Sequence, residues 1–475
     1  MYGPLSGKPH YQLPSGPRKG YRTVNPRRRL APLLQPPKLV PLPHPLPDSI
    51  NRKCAFTSTH TLSVHLFPAA FPRAWCPDDS VVIPAMGDFP GKDGKENRKK
   101  WMLQTAERMV WEKKEAEKMF PAPAAGLRVA QEGIWSAVSR IRRNKRKIHG
   151  KGITIVTLHP IGFHKEIWEP ALKNLIEFTE ASGVVHIDEI WAIDAVNHGD
   201  SALINGSHIP KLPDRSDYGR DLANLLIHHL PNGSDAFGRD LPTILARLPE
   251  SVGPVRVRKG FSDRHIIAMG HSLGGDGSVV CGISYPRLFS AIIPVETTLF
   301  PPTADRGDRR QAMILSALSR RSSWPSREEA RKALLKAPLF QAFDPSVFDA
   351  YITYGMYEDP STGFVHLKCP PACEGSEYTE NRTMSEGWEL LPTLDERVEL
   401  RWILGGRDDA SSLVGGRHIS QGVAWRRPKN ASNVMIPGAG HLCVQEKPTE
   451  FAEDVALFLA HKFSGTRTDH FPAKL

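Results

Sequence analysis

No run of 18 apolar residues occurs in the 475-residue chain, so no membrane-spanning helix is expected. No basic start followed by an apolar core is present either, which argues against secretion. Cysteine is scarce and scattered, at six residues. Cys369 and Cys373 stand four apart with no second pair or histidine partner, so no zinc site, other metal or cofactor is expected. A disulfide framework is not implied, which suits a reducing or organellar compartment. Acidic residues are nearly missing from the first 50 positions, where Asp48 stands alone among 12 prolines. Such a segment cannot build a helix or a central strand, and disorder is expected over residues 1–50. Without an amphipathic helix it is also a poor mitochondrial transit peptide.

Charge is uneven. Residues 1–150 hold 27 Lys and Arg against 11 Asp and Glu, whereas the remainder is mildly acidic. Trp101, Ala106, Met109, Val110 and Met119 recur near helical spacing among lysines and glutamates, which predicts a charged surface helix in an insertion near 97–147. The basic run Arg142-Arg143-Asn144-Lys145-Arg146-Lys147 reads as a solvated linker before the next strand. No groove-reading or stacking aromatics accompany it, so no nucleic-acid partner is expected.

The chemistry starts at Gly270-His271-Ser272-Leu273-Gly274, which follows the apolar run Ile266-Ile267. A strand running into G-x-S-x-G holds its serine exposed on a tight turn, ready to attack a carbonyl. A serine hydroxyl needs a base, the base needs an acid, and in this arrangement the chain order is serine, acid, histidine. Val398 to Leu404 reads as a strand ending at Asp408, and Asn433 to Pro437 as a strand ending at His441. Asp408 is the expected acid. Asp409 and Glu296, the latter ending the strand Ala291 to Val295, are alternatives. His441 is the expected base. The Leu273 N–H and the Phe163 N–H, from the loop after strand Ile153 to Leu158, are the expected oxyanion donors. His159 and His164 flank that loop and suit hydrogen bonds to nearby backbone. The loop from Asp194 through His198 to Ser201 is expected to shape the site without reacting.

Residues 301–395 interrupt the strand pattern. Ser326 to Leu335 carries a capped helix start, and Phe340, Phe343, Phe348, Tyr351, Tyr354 and Tyr357 follow. A mostly helical, aromatic cap over the site is expected, and with it a lipophilic substrate. The fold class is α/β: a mostly parallel sheet flanked by helices, with the cap inserted before the penultimate core strand. The core spans 51–300 and 396–466, and a flexible tail covers 467–475.

Several stretches resemble the fungal α/β-hydrolase-fold proteins of peroxisomes, among them the ester hydrolases of the Alternaria AK- and AF-toxin clusters and the yeast peroxisomal lipase type. They are His159 to Pro170, Ile190 to Asn205, Ser216 to Asp221, Gly270 to Gly275, Trp324 to Ala330 and Pro437 to His441. The resemblance implies a carboxylic ester hydrolase acting on a small-molecule ester or thioester. A non-hydrolytic protein of the same fold, binding a ligand or acting as a lyase, is the alternative. Ala473-Lys474-Leu475 is a variant of the peroxisomal tripeptide that a soluble import receptor reads.

Overall fold

The computed structural model describes residues 7–15, 23–26, 30–73, 93–118, 132–145, 151–233, 239–302 and 307–464. Met119, Arg146, Lys147 and the terminal Ala473-Lys474-Leu475 lie outside the described residues.

Nine strands form the main sheet: β1 (Lys53–Ala55), β2 (His60–Pro68), β3 (Trp135–Arg143), β4 (Gly152–Leu158), β5 (Ile187–Ile193), β6 (Arg264–His271), β7 (Ala291–Val295), β11 (Glu399–Gly405) and β12 (Ala431–Ile436). Their spatial order is β1-β2-β3-β5-β4-β6-β7-β11-β12. The first four pair antiparallel. From β5 onward every pairing is parallel. β4, β5, β7 and β11 are buried along their whole length, because helices cover both faces, and β7 reads as a continuous apolar run. Ser272, Glu296 and the loop after β4 all sit at carboxyl ends of neighbouring parallel strands, where open α/β sheets place their ligands.

Between β7 and β11 the chain leaves the sheet. Helices Gly307–Ser319, Arg327–Leu334, Pro345–Tyr354, Pro371–Glu377 and Arg382–Leu390 form most of this cap. A small antiparallel sheet, β8 (Ser323–Trp324), β10 (Val365–Leu367) and β9 (Met356–Glu358), joins the expected helices. Ser326 caps its helix by accepting from the Glu329 N–H at 3.2 Å. Helix Gly94–Lys118 is not a free surface element. It buries Ala106 and Met109 against Ile314 and Leu318 of the cap.

Two expectations need correction. Much of residues 30–50 is packed, not disordered. The Val40 carbonyl accepts from the Trp135 indole N–H at 2.9 Å, and Val40 and Ile50 join the main core. Prolines exclude helix and central strand, but they leave extended segments free to lie along a finished surface. Farther toward the start, the Pro9 carbonyl accepts from the Met435 N–H at 2.7 Å, so the chain runs beside edge strand β12. The basic run is also not a linker at its start. Arg142 and Arg143 complete β3, and Arg143 is buried on the Glu180 carboxylate.

Candidate active site

Ser272 sits at the turn between β6 and helix Leu273–Ser284 with φ 52° and ψ −115°. A non-glycine residue rarely adopts such a backbone, and strain of this kind persists only where surrounding structure holds it. Its N–H is bound to the Val295 carbonyl at 2.9 Å. The flanking glycines are a packing necessity. A Cβ on Gly270 would lie 2.1 Å from the Gly274 carbonyl oxygen, and one on Gly274 would lie 2.2 Å from the Leu158 oxygen. Only bare backbone lets the helix start this close to β4 and β6.

His441 follows β12. Its Nδ1 lies 3.0 Å from Glu296 Oε2. The other oxygen of Glu296 accepts from the Gly405 N–H at 2.6 Å. Glu296 therefore holds the position for which Asp408 was expected. Beyond Gly405 the chain turns outward. The Asp408 side chain is 94% exposed and pairs with Arg417, and Asp409 pairs with Arg407 at 2.6 Å. Neither forms a hydrogen bond or ion pair with His441. β7 lies directly beside β6, and a glutamate there is one methylene longer than an aspartate. The strand that was expected to donate the acid instead supplies one N–H to it.

His271, overlooked in the sequence, fixes His441 from the other side. Its Nε2 donates to the His441 carbonyl at 2.8 Å, and burial pushes its pKa down to about 3. Ser272 and His441 line one cavity of about 380 Å³. No hydrogen bond joins the hydroxyl to the ring, a separation common before substrate binds.

The loop after β4 forms the opposite wall. Phe163 does not offer the free amide that was expected of it, since its N–H turns back onto the Pro160 carbonyl at 3.3 Å. The Gly162 N–H is bound to His198 Nε2 at 2.9 Å. Among the described residues the Ile161 N–H meets no acceptor, and Ile161 lines the cavity. His159 bonds nearby backbone at both ring nitrogens, to Pro160 at 2.8 Å and Ala195 at 3.0 Å. His164 pairs instead with the Glu166 carboxylate at 3.0 Å.

Asp194 ends β5 and ties this loop down. It accepts from the Lys165 N–H at 2.7 Å and the Asp200 N–H at 2.9 Å. The fully buried Lys165 ammonium pairs with Asp194, Asp200 and Glu166, and Lys368 of the cap reaches Asp200 at 2.5 Å. Burial raises Asp194 to about 7.

None of Phe340, Phe343, Phe348, Tyr351, Tyr354 and Tyr357 lines the cavity, whereas Tyr378 of the cap does. Phe340, Phe343 and Tyr351 stack on one another and on Phe163. The wall carries Met313, Leu339 and Met384 beside charged groups, notably the Arg320–Glu374 pair at 2.7 Å. Among the described residues no group of three or more His, Cys, Asp or Glu could hold a metal ion. No helix among them is long and apolar enough to cross a membrane.

A serine on a strained elbow, with a carboxylate-backed histidine on the same cavity, defines a centre of the α/β-hydrolase type. The sequence profile of the alpha/beta hydrolase family matches residues 155–454, and the chain belongs to that family. It is 28% identical over 296 residues to the type I acyl-CoA thioesterase mpaH' of Penicillium brevicompactum, covering 61% of this chain and 60% of that protein. It is 26% identical over 166 residues to the peroxisomal membrane protein LPX1 of Saccharomyces cerevisiae, covering 34% of each. It is 33% identical over 94 residues to the abhydrolase domain-containing protein AFT2-1 of Alternaria alternata, covering 20% of this chain and 34% of that one. The chain aligns with about half of the length of the thioesterases it matches, 53% in one and 60% in another. The solved structure of the peroxisomal α/β-hydrolase Lpx1 from Saccharomyces cerevisiae shares the fold, with TM-score 0.58 at 17% identity, covering 88% of this chain and 94% of that one.

Proposed function

We propose that the protein is a serine hydrolase of carboxylic esters or thioesters that works through an acyl-enzyme. Ser272 attacks the carbonyl and His441 takes its proton. Glu296 holds the imidazole tautomer and stabilises the imidazolium. His441 then returns the proton to the leaving group, and the same ring activates the water that frees the acid. The oxyanion meets the Leu273 N–H and, in place of Phe163, the Ile161 N–H. The observation that carries this reading is the His441–Glu296 contact at 3.0 Å beside a cavity that Ser272 also lines.

The thioesterases among the relatives favour an acyl-CoA-type substrate. Charged groups in the cavity wall favour polar parts on the lipophilic substrate expected from the cap aromatics. Ala473-Lys474-Leu475, together with the peroxisomal relatives, supports import into peroxisomes by the tripeptide receptor.

A fluorophosphonate probe should label the protein at Ser272 and leave Ser272→Ala unlabelled. Hydrolysis of matched acyl-CoA and oxygen-ester series then ranks the two leaving groups. Intact labelling of Ser272→Ala would sink the assignment. Removing residues 473–475 should leave turnover unchanged and shift a fluorescent fusion to the cytosol, and retained organelle targeting would defeat the localisation.

A further inference from the structure

Two buried histidines hold two successive peptide planes of the loop that faces Ser272. A backbone N–H can only donate, so each contact fixes a tautomer. The Ala195 N–H donates to Nε2 of His159, which leaves the proton on Nδ1, and that proton goes to the Pro160 carbonyl at 2.8 Å. In a trans peptide the N–H points opposite to the carbonyl. Holding the Pro160 oxygen on the His159 side therefore aims the Ile161 N–H the other way. The next plane is held by the Gly162 N–H on Nε2 of His198, at 2.9 Å.

The His198 contact continues outward. With Nε2 accepting, the His198 proton sits on Nδ1 and is donated to Asn197 Oδ1 at 2.7 Å. That leaves the Asn197 amide group to donate to Glu377 Oε1 at 2.7 Å. Glu377 belongs to cap helix Pro371–Glu377. All three side chains are buried, so each bond lacks a competing water. A second contact from the same helix reaches the loop. The Glu374 carboxyl carbon lies 3.1 Å from where a Gly162 Cβ would stand, and Gly162 has φ +81°.

We propose that His198 and Asn197 are positioning residues that couple cap residue Glu377 to the oxyanion loop, so that seating of the cap sets the amide geometry opposite Ser272. This rests on the reading of Ser272 as nucleophile. The loop amide acts on charge that develops only in the transition state. Loss of the coupling therefore lowers kcat and spares KM.

The test uses full-length protein that labels with fluorophosphonate. His198→Leu should lower kcat about 10- to 100-fold with KM within about threefold. His198→Gln keeps an acceptor near the Nε2 position and should recover most of the loss. Glu377→Leu should lower kcat in the same direction by a smaller factor, with Glu377→Gln close to wild type. The affinity of an alkyl trifluoromethyl ketone, whose adduct oxygen occupies the same hole, should fall by the factor seen in kcat/KM. Should His198→Leu not fold, the Glu377 pair decides alone. Unchanged kcat and inhibitor affinity in Glu377→Leu overturns the coupling while leaving a labelled Ser272 intact. Failure of wild-type labelling removes the nucleophile reading and the coupling with it.

Discussion

Glu296 and His441 stand 145 positions apart in the chain and 3.0 Å apart in space. The carboxylate is held on both oxygens, by the imidazole and by the Gly405 N–H. Glu296 itself has φ 43°, a second strained residue next to the strained Ser272. Replacing it should expose its importance. Glu296→Gln should lower kcat by about 10³- to 10⁴-fold, by analogy with the loss of a tautomer-fixing carboxylate. Asp408→Asn should stay within about threefold, because the exposed Asp408 pairs with Arg417 and not with His441. Steady-state hydrolysis by both variants decides between the two acids, and the opposite ranking would restore Asp408.

Gly274→Ala and Gly270→Ala both force a Cβ onto backbone oxygens closer than 2.3 Å. Backbone cannot rotate out of the way, so the helix must retreat from β4 and take the serine with it. Each variant should lose about 1–3 kcal/mol of stability, the usual range for overpacking, and most of its fluorophosphonate labelling. Thermal unfolding together with labelling rate would show this, and wild-type labelling in either variant would count against the tight elbow.

Acid should weaken the fold through its buried imidazoles. Burial pushes His60 and His65 down to about 4. Between the ordinary imidazole value of about 6.5 and that level, the unfolded chain binds protons that the folded chain refuses. Stability therefore falls as pH drops through this window. Asp276, raised to about 6 by burial, acts in the opposite sense, because its folded form keeps a proton that the unfolded chain has lost. His60→Gln should flatten the acid limb of a plot of Tm against pH, and a parallel shift with unchanged slope would refute the assignment.

Truncation before residue 53 should harm the protein. It removes Val40 from the core and the Trp135 indole's acceptor, and it strips Arg52 from its 2.5 Å contact with Glu169. Burial already raises Glu169, and loss of Arg52 leaves that carboxylate without its main partner. A lower Tm and reduced soluble yield are expected. Unchanged unfolding would mean that residues 30–52 only decorate the surface.

The fold and two of the three central side chains were legible in the chain. Strand-like stretches that lead to Ser272 and His441 point to the parallel sheet and to the two groups proposed to react. The carboxylate beside His441 is harder to read, because both β7 and β11 are followed by a carboxylate and only side-chain length and the turn after Gly405 separate Glu296 from Asp408. The loop carrying His198 is legible as one that shapes the site, but its partner is not, since the contact is with Gly162, 36 positions earlier. The proline-rich start misled for a different reason. Composition reports what regular structure a segment cannot make, and it is silent on whether an extended segment is docked.

The Pro9 carbonyl on the Met435 N–H has a meaning beyond local packing. β12 closes the parallel side of the sheet, and an uncovered outermost strand offers donors and acceptors that a neighbouring molecule can extend into a fibre-like ladder. By laying its own leading residues along that margin, the polypeptide occupies some of the template itself and so guards against self-association.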